Sequence, residues 1–420
     1  MVTRRQFIVA VAAASLSAGR GNAGAVGRVY TVGSNAQFQT LASLPKLAPG
    51  DTVEIASGTY NEMKLWDSHG TENLPITIRG VGPTRPVIDG TGLQLSGVGD
   101  VPRALFQISG SHTVIENIAF QNGRNNSYNG AGIRVLACNN TIIKGCKVSR
   151  CDMGMMSDEN DLLSIEACEF AFNGNPEHFN GYSHNLYLGG RRTRIQFCWI
   201  HDAICGMNFK TRGLYTELLY NTVMDSNEGE FSFVDGEHTH LPNSNVVMIG
   251  NIVRSKPNRT GNTQKYIDFG QDMGGARNGI LYLFQNTLVA GSGNIHFLQS
   301  SSAQSTIAAI ANIFTGSRNL QGLSLGSISG ARNWLSKDAL FPARFVENIL
   351  GTSPGFVSEQ TYNFHLQHGS ECLQKPGMLE EYIDNNGTLH VSQMKYSVIN
   401  PLHASKLNPP GNNYIGALGI

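Results

Sequence analysis

A short frame of residues recurs along the middle of the chain and limits the folds that it can adopt. In each copy a small polar residue or a cysteine precedes a short, mostly apolar stretch; the copies begin at Asn117, Cys146, Cys168, Cys198, Asn221, Asn251, Asn286 and Asn312. They lie 29, 22, 30, 23, 30, 35 and 26 residues apart, so about 22 residues form the base repeat and the longer intervals contain inserted loops. Such a repeat indicates a solenoid of stacked coils. Stacked Asn side chains can bond along the axis and cysteines can fill the same small space, so we interpret the frame as structural.

Four further segments alternate apolar and polar residues, as a strand with one buried face does. They are His184–Gly190, Gly206–Arg212, Glu230–Asp235 and Tyr266–Asp272. We align Leu186, Met207, Phe231 and Ile267 as one inward row, and Leu188, Phe209, Phe233 and Phe269 as the next. The opposite face then carries Tyr187, Asn208, Lys210, Ser232 and Asp268, with Arg212, Asp235 and Asp272 at the strand ends. We predict that this polar face is the functional site.

Composition narrows the class of protein. The chain has 48 glycines, and its short apolar runs alternate with turns rich in Gly, Asn and Ser, which favours an all-β protein. Its 31 basic and 31 acidic residues give no net charge, so it lacks the basic footprint of a nucleic-acid binder. We expect a monomer that binds no nucleic acid.

The first residues are typical of an export signal. Thr3–Ile8 resembles a twin-arginine motif with Arg4 and Arg5, and an apolar run and a small-residue site at Ala23–Ala25 follow. The apolar run is too short for a permanent membrane anchor. We therefore predict that residues 1–25 are a signal peptide and that the mature protein is periplasmic or secreted, with no integral membrane segment.

Seven cysteines complicate the oxidising environment that export implies. Their number is odd, and no CxxC or His/Cys spacing indicates zinc. We interpret most of them as small buried side chains, and leave open one disulfide between Cys151 and Cys205.

The segment before the first strands carries Phe38, Leu41, Leu44 and Leu47 at helical spacing. We predict a short amphipathic helix that caps the open N-terminal end of the stacked sheets.

Two phrases then point to a known architecture. Residues 49–60 contain Pro-Gly-Asp-Thr-Val and Gly-Thr-Tyr, and residues 75–80 read Pro-Ile-Thr-Ile-Arg-Gly. At these residues the chain resembles the opening coils of the right-handed parallel β-helix proteins of the pectate-lyase-like superfamily. The resemblance implies a single-stranded parallel β-helix over residues 26–340. The stretch from Ser353 to Ala417 resembles the closing segment of exported β-helix proteins, so we expect an irregular C-terminal cap over residues 341–420.

The resemblance also implies a carbohydrate substrate, because members of this superfamily mostly cut or modify polysaccharides, often acidic ones. β-Elimination of a uronate needs a cation near the carboxylate, a base for the C5 proton and an acid for the leaving oxygen. A neighbouring guanidinium and partial burial favour the neutral form of a lysine, so Lys210 beside Arg212 is our candidate base. Arg212, His184 and Tyr187 are the other candidate catalytic residues.

The remaining candidates bind substrate or metal. We assign substrate binding to Asn208, Arg134, Ser232, Asp268 and Gln271. Some pectate lyases of this fold bind calcium through aspartates, so Asp235 and Asp272 are candidate calcium ligands, although no family aspartate can be matched to them. Inserted loops rich in Gly, Asn and His are expected to form the groove walls.

Three alternatives remain open. A C5-epimerase shares the first step of the lyase reaction. An inverting glycoside hydrolase would use Asp235 with Asp268 or Asp272, since adjacent coils lie ~4.8 Å apart and inversion needs carboxyls roughly 6.5–9.5 Å apart. A non-catalytic glycan-binding or surface solenoid would use the same groove only to bind.

Overall fold

The computed structural model describes residues 27–175, 177, 181–259, 265–375, 379–411 and 413–419. The predicted signal peptide lies outside these residues. In the described part of the chain no helix is long and apolar enough to cross a membrane. The only helix there is a 3₁₀ turn at Glu371–Leu373.

Three long parallel sheets form the body of the molecule, and each coil of the chain contributes a strand to most of them. Sheet A consists of Val29–Val32, Thr52–Ala56, Ile76–Val81, Thr113–Glu116, Thr141–Lys144, Leu162–Glu166, Arg192–Gln196, Tyr215–Leu219, Val246–Ile249, Ile280–Phe284, Thr306–Ile310, Ser327–Ala331 and Phe345–Val346. Sheet B consists of Thr59–Tyr60, Val87–Asp89, Ala119–Gln121, Lys147–Ser149, Glu169–Ala171, Trp199–His201, Thr222–Met224, Ile252–Arg254, Thr287–Val289, Ile313–Thr315, Trp334–Ser336 and Ile349–Gly351. Sheet C consists of Lys64–Trp66, Ala104–Ile108, Ala131–Leu136, Met153–Asp158, Leu186–Leu188, Phe209–Thr211, Phe231–Phe233, Lys265–Phe269 and His296–Ser300.

The core runs along the axis between the sheets. Alternate residues of each strand point inward and form buried rows, such as Leu186, Phe209, Phe231, Ile267 and Leu298 in sheet C. Each such side chain contributes roughly 1.5–3 kcal/mol when it leaves water. The period-two pattern therefore both selects strands and fixes which face of sheet C meets solvent.

The recurrent frame is a ladder of buried side chains at the corner before sheet B. The Asn221, Asn251 and Asn286 amide nitrogens donate to the amide oxygens of Asn251, Asn286 and Asn312 at 3.0, 2.9 and 3.0 Å. The ladder continues to Asn333. In the earlier coils Cys168 and Cys198 fill the same position, as predicted, and their Sγ atoms also accept from the backbone N–H groups of Cys146 and Cys168. The predicted first copy is misaligned by one residue, because Ile118, not Asn117, aligns with Cys146. The Asn117 side chain is therefore not a rung of the ladder and donates to the Gly80 carbonyl.

All seven cysteines are free and buried. The disulfide left open between Cys151 and Cys205 does not form. Cys151 Sγ accepts from the Gly123 N–H at 3.3 Å, and Cys205 Sγ donates to the Asn175 carbonyl at 2.8 Å. Burial raises the pKa of Cys151 to about 12 and that of Cys205 to about 11.

The predicted N-terminal helix is wrong in its conformation. Residues 36–47 form turns and a single bridge to the first strand rather than a helix. Leu41, Leu44 and Leu47 are nevertheless buried against the core. The Glu62 carboxylate accepts from the Leu41 and Ala42 N–H groups at 3.2 and 3.1 Å, which satisfies donors that a helix would have used internally.

The C-terminal tail follows the last parallel strand and consists of antiparallel pairs. They are Phe356–Ser358 with Asn363–Leu366, Glu381–Ile383 with Leu389–Val391, and Tyr396–Asn400 with His403–Lys406. The tail lies on sheet A, where Asn245, Gln285 and Tyr220 bond to its backbone, and on sheet B, where Thr287 accepts from the Ala417 N–H. None of these contacts of the described tail involves sheet C. The outer face of sheet C is therefore available for a site.

Candidate active-site groove

The outer face of sheet C carries one continuous row across eight coils, which we call the groove row. Its members are Gln107, Arg134, Met156, Tyr187, Lys210, Ser232, Asp268 and Gln299. Each is the register partner of the next, so the structure brings Tyr187, Lys210, Ser232 and Asp268 into line, as the alternation predicts. The inward rows differ from the prediction because Phe209, not Met207, pairs with Leu186, and Thr211, not Phe209, pairs with Leu188.

The same difference removes Asn208 from the groove. Met207 and Asn208 precede the strand, so Asn208 turns inward and is fully buried. Its oxygen accepts from the Asn185 amide at 2.8 Å, and its own amide donates to Glu230 Oε2 at 2.7 Å. The prediction that Asn208 binds substrate is therefore wrong; it belongs to a second polar ladder at the corner before sheet C.

Four side chains meet at the centre of the groove; we call Tyr187, Lys210, Arg212 and Asp272 the Lys210 cluster. Lys210 Nζ lies 2.6 Å from Asp272 Oδ2, and Arg212 contacts both Asp272 oxygens at 2.7 and 3.0 Å. Arg212 Nε donates to the Tyr187 hydroxyl at 2.7 Å. Both cations also lie 5.8 Å from the centre of the Tyr187 ring. Burial acts to lower the pKa of Arg212, but Asp272 and Tyr187 outweigh it and raise the pKa.

Asp235 holds the loop that carries Asp272. Its carboxylate accepts from the N–H groups of Asp272, Met273 and Gly275 at 2.7, 3.1 and 2.8 Å. Burial acts to raise the pKa of Asp235, but these backbone hydrogen bonds outweigh it and lower the pKa. A side chain at Gly275 would place its Cβ 2.6 Å from Asp235 Oδ2, so this close approach requires glycine.

The two aspartates do not fit the predicted calcium site. Asp235 is saturated by amides, and Asp272 is bound by Lys210 and Arg212. Over the described ranges, His, Cys, Asp and Glu side chains form no group of three or more that could hold a metal ion. The pair acts instead as an anchor: Asp235 fixes the loop and Asp272 fixes the two cations.

His184 lies beneath the groove rather than in it. It is 2 % exposed, its Nδ1 accepts from the Met207 N–H at 3.0 Å, and its ring meets Tyr187 edge-on at 5.5 Å. Burial, reinforced by Lys210 and Arg212, lowers the pKa of His184 well below its usual value. A neutral imidazole that is already bonded to backbone supports the Tyr187 ring and has no free approach to substrate.

Arg134 extends the positive charge toward the N-terminal end of the groove. Burial, with Arg103 nearby, lowers the pKa of Arg134. A cavity of about 110 Å³ lies between Arg134, Met156, Tyr187 and Arg212. A cleft of about 420 Å³ lies on the other side of Arg212, next to Asp235 and Met273. Arg134 is therefore well placed for the substrate-binding role predicted for it.

The groove row is less exposed toward its C-terminal end. Ser232 and Asp268 are each only 3 % exposed, and Lys265 Nζ contacts Asp268 Oδ2 at 3.0 Å. Gln271 follows the Asp268 strand, and its N–H donates to Ser301 Oγ at 2.9 Å. Ser232 and Asp268 thus lie on the predicted face but are almost fully covered, so the substrate access expected of them is not available, whereas Gln271 is half-buried.

A buried ion pair under this end was not predicted from the sequence. Arg259 lies 3.1 Å from Glu230, and both side chains are nearly or fully buried. Burial raises the pKa of Glu230 to about 7, against the opposing effects of Arg259 and Asn208. Glu230 ends the second ladder that runs through Asn173, Asn185 and Asn208. One sequence signal could have indicated this buried ion pair. Glu230 occupies a ladder position that asparagine occupies in the coils before it, and a buried glutamate needs a cationic partner.

Solved structures share the architecture of this chain, although sequence comparisons find no match. No protein-family profile and no curated protein matches the sequence. Pectate lyase Pel9A superposes with a TM-score of 0.53 at 14% identity, over 85% of this chain and 93% of that one. A rhamnogalacturonan lyase gives a TM-score of 0.45 at 11% identity, over 87% and 95%. The PL6 family polysaccharide lyase Pedsa3628 from Pseudopedobacter saltans gives 0.42 at 12% identity, over 73% and 88%.

The stacked parallel sheets and this likeness define the class: the chain is a right-handed parallel β-helix with the pectate-lyase-like fold. The expectation drawn from residues 49–60 and 75–80 is confirmed for the fold. At this identity the likeness shows the fold alone, so the chemistry has to be argued from the groove.

Proposed function

We propose that the protein is a polysaccharide lyase that cleaves an acidic, uronate-containing polysaccharide by β-elimination in the groove of sheet C. One observation carries the proposal: Tyr187 and Lys210 are register partners on the solvent face, and Arg212 bonds to the Tyr187 hydroxyl. A proton acceptor, a proton donor and a cation therefore lie within one coil step, which is ~4.8 Å. A pectate lyase built on the same fold agrees with this class of reaction.

The reaction assigns one step to each group. Lys210, as the free amine, removes the C5 proton, the bond from C4 to the leaving oxygen breaks, and a double bond forms between C4 and C5. Tyr187 gives its proton to the leaving oxygen. Because Arg212 donates to the phenol oxygen, the Tyr187 proton is free to point into the groove. The ammonium of Lys210 and the Tyr187 phenolate then exchange one proton, which restores both groups.

The carboxylate of the sugar needs a cation, since removal of the C5 proton places negative charge on it. Arg212 and Arg134 flank the cavity beside Tyr187 and supply that charge. The Asp272 carboxylate occupies the position that we assign to the substrate carboxylate, because its two oxygens bind Lys210 and Arg212. We infer that a substrate carboxylate displaces Asp272 from Arg212, and that the Lys210 ammonium, once separated from Asp272, gives a proton to solvent and becomes the amine that accepts the C5 proton.

Of three alternatives, the geometry weighs against the hydrolase, whereas the epimerase and the binder are separated from the lyase by experiment. An inverting hydrolase needs one carboxyl held protonated, whereas backbone N–H groups lower the pKa of Asp235 and two cations bind Asp272. An epimerase would use the same Lys210 cluster and return the proton to C5 instead of breaking the bond. A non-catalytic binder would need only the cations and would be indifferent to the Tyr187 hydroxyl.

The test is an activity screen on acidic polysaccharides, with neutral polysaccharides as controls and with or without chelator. A lyase produces ultraviolet absorbance from unsaturated chain ends. New reducing ends without absorbance would indicate a hydrolase, and proton exchange at C5 without cleavage would indicate an epimerase. Binding without any of the three would replace the enzyme proposal by the binder. We expect chelator to leave turnover unchanged, since neither Asp235 nor Asp272 has a free oxygen pair to offer.

Export belongs to the same proposal. An enzyme for polymeric substrates acts outside the cytoplasm, and Arg4-Arg5 of the predicted twin-arginine signal offers the route. Replacement of both arginines by lysine should retain the protein in the cytoplasmic fraction. Unchanged export of that variant would contradict the proposed route and leave the groove chemistry untouched.

A further inference from the structure

A second cavity lies on a different sheet from the groove. It measures about 740 Å³ and lies between the outer face of sheet B and the C-terminal tail. Trp199, His201 and Met224 form part of its floor, and Tyr362 and Phe364 belong to the tail side. Its volume is in the range of small-molecule sites, roughly 300–1,000 Å³.

The floor presents a fixed aromatic surface. The Trp199 and His201 rings stack at 3.9 Å with 23° between their planes. His201 Nδ1 lies 2.7 Å from Asp202 Oδ2, and its Nε2 lies 3.6 Å from Glu169. Burial acts to lower the pKa of His201, but these two carboxylates outweigh it and raise the pKa. The ring under Trp199 is therefore held by charge as well as by stacking.

The rim is polar. Asp202, Asp225, Asn363 and Asn400 line the same cavity. Asp225 Oδ2 binds Arg254, whereas Oδ1 has no hydrogen-bond partner among the described residues. His201 is only 5 % exposed, and its Nε2 likewise has none within hydrogen-bond distance in the described part of the chain. An aromatic floor with amide and carboxylate groups at its edge suits a ligand that is apolar on one face and carries hydroxyls around it.

The charges of the cavity select against an anionic ligand. Arg254 is paired with Asp225, and His201 is paired with Asp202 and Glu169. A uronate carboxylate would therefore face Asp202 and Asp225 with both neighbouring cations already bound. We propose that this cavity is a second carbohydrate site, which binds a neutral sugar unit through stacking on Trp199 and hydroxyl contacts with the rim. The site is separate from the groove and does not depend on the proposed lyase activity.

Tryptophan fluorescence gives a direct test. The chain has three tryptophans; Trp66 is 5 % exposed and Trp334 is fully buried, so Trp199 is the partly exposed reporter. The full chain is titrated with glucose, galactose, mannose, xylose and their short oligomers, and glucuronate serves as the charged counterpart of glucose. We expect a saturable change with at least one neutral sugar and none with glucuronate.

Variants then locate the site. Asn363→Ala and Asn400→Ala remove rim amides near the surface and should weaken the neutral-sugar response roughly tenfold, with an unchanged melting temperature. Lys210→Ala should leave it intact, which separates this site from the groove. The proposal is overturned if no neutral sugar gives a saturable response, if glucuronate responds equally, or if an aliphatic alcohol reproduces the sugar response. Loss of the response in Lys210→Ala with the rim variants unaffected would place the binding in the groove instead.

Discussion

Arg212 Nε donates a 2.7 Å hydrogen bond to the hydroxyl of Tyr187, a residue one coil away and 25 positions earlier in the chain. The same guanidinium binds Asp272, which lies 60 positions later. Arg212 thus connects its own coil with the coil before it and with the loop that follows the strand two coils further on. Since the planar guanidinium presents several donors in fixed directions, it orients the phenol and the carboxylate at once.

Removal of Lys210 or of the Tyr187 hydroxyl should abolish most turnover while the fold persists. General acid–base groups contribute about 10²–10⁴-fold to rate, so Lys210→Ala and Tyr187→Phe should each lower kcat by that order. Initial rates of ultraviolet absorbance on the responsive polysaccharide measure the effect. Lys144→Ala is the matched control, because Lys144 is also an outward strand lysine with an acidic partner, but on sheet A. Equal losses in Lys144→Ala and Lys210→Ala would show that the cluster has no special role.

Asp272→Asn should strengthen the binding of acidic polysaccharide. The substitution removes the anion that occupies Lys210 and Arg212, so both cations become available to substrate carboxylates. We expect a several-fold gain in affinity at low salt, and the gain should shrink as salt screens the charges. Calorimetric titration of wild type, Asp272→Asn and the exposed control Asp338→Asn measures it. Unchanged or weaker binding in Asp272→Asn would contradict the competition between Asp272 and substrate.

Glu230 should make stability depend on pH in the direction opposite to an ordinary carboxylate. Burial raises the pKa of Glu230 to about 7 in the folded chain from 4.5. Between these values the folded chain keeps a proton that the unfolded chain has released, so the free energy of unfolding falls as pH rises from about 4.5 to 7. Above about pH 7, Glu230 is ionised in both states, and its contribution to the free energy of unfolding no longer changes with pH.

The measurement for Glu230 is the melting temperature of wild type and Glu230→Gln across this pH range. Glu230→Gln should have a lower melting temperature than wild type throughout this range. The reason is that the new amide nitrogen, itself a donor, faces the donor groups of Asn208 or Arg259. The difference between the two proteins should nevertheless shrink as pH approaches 7. Glu159→Gln, at an exposed carboxyl, should run parallel to wild type. A constant difference between wild type and Glu230→Gln would refute the assignment.

The asparagine ladder should be a main source of stability along the axis. Asn286→Ala removes an acceptor from Asn251 and a donor to Asn312 and to the Met248 carbonyl, all of them buried. Buried polar groups left without partners cost about 1–3 kcal/mol each, so we expect a loss of roughly 2–4 kcal/mol in urea unfolding. The exposed Asn294→Ala should change stability by less than about 0.5 kcal/mol. Similar effects of both variants would mean that the ladder fills space without bonding energy.

The repeat and the alternation of the strands predict most of the fold and the centre of the groove. Period-two alternation put Tyr187, Lys210, Ser232 and Asp268 on one face, because one face of each strand must be buried. Alternation alone does not say where a strand begins. Met207 looks like the first inward residue, yet the strand starts at Phe209, and Asn208 consequently turns into the core.

Contacts made through loops were beyond prediction from the sequence. Asp272 reaches Lys210 only because Asp235 accepts three N–H groups from the same loop, and no local pattern encodes that approach. The N-terminal cap shows a second limit. Leu41, Leu44 and Leu47 are buried as their spacing indicates, but Glu62 supplies acceptors to the backbone and turns replace the helix.

The C-terminal tail keeps part of the outer surface of sheet A out of water. Its apolar residues complete a cluster that begins with Tyr215, Tyr220 and Val247 on the outer side of sheet A. Each coil packs mainly on its neighbours, whereas the apolar residues on the outer side of sheet A leave water only when the tail is in place. A variant truncated before residue 380 would lose Tyr382, Met394 and Val398 from this cluster, and we expect it to aggregate through the uncovered apolar surface.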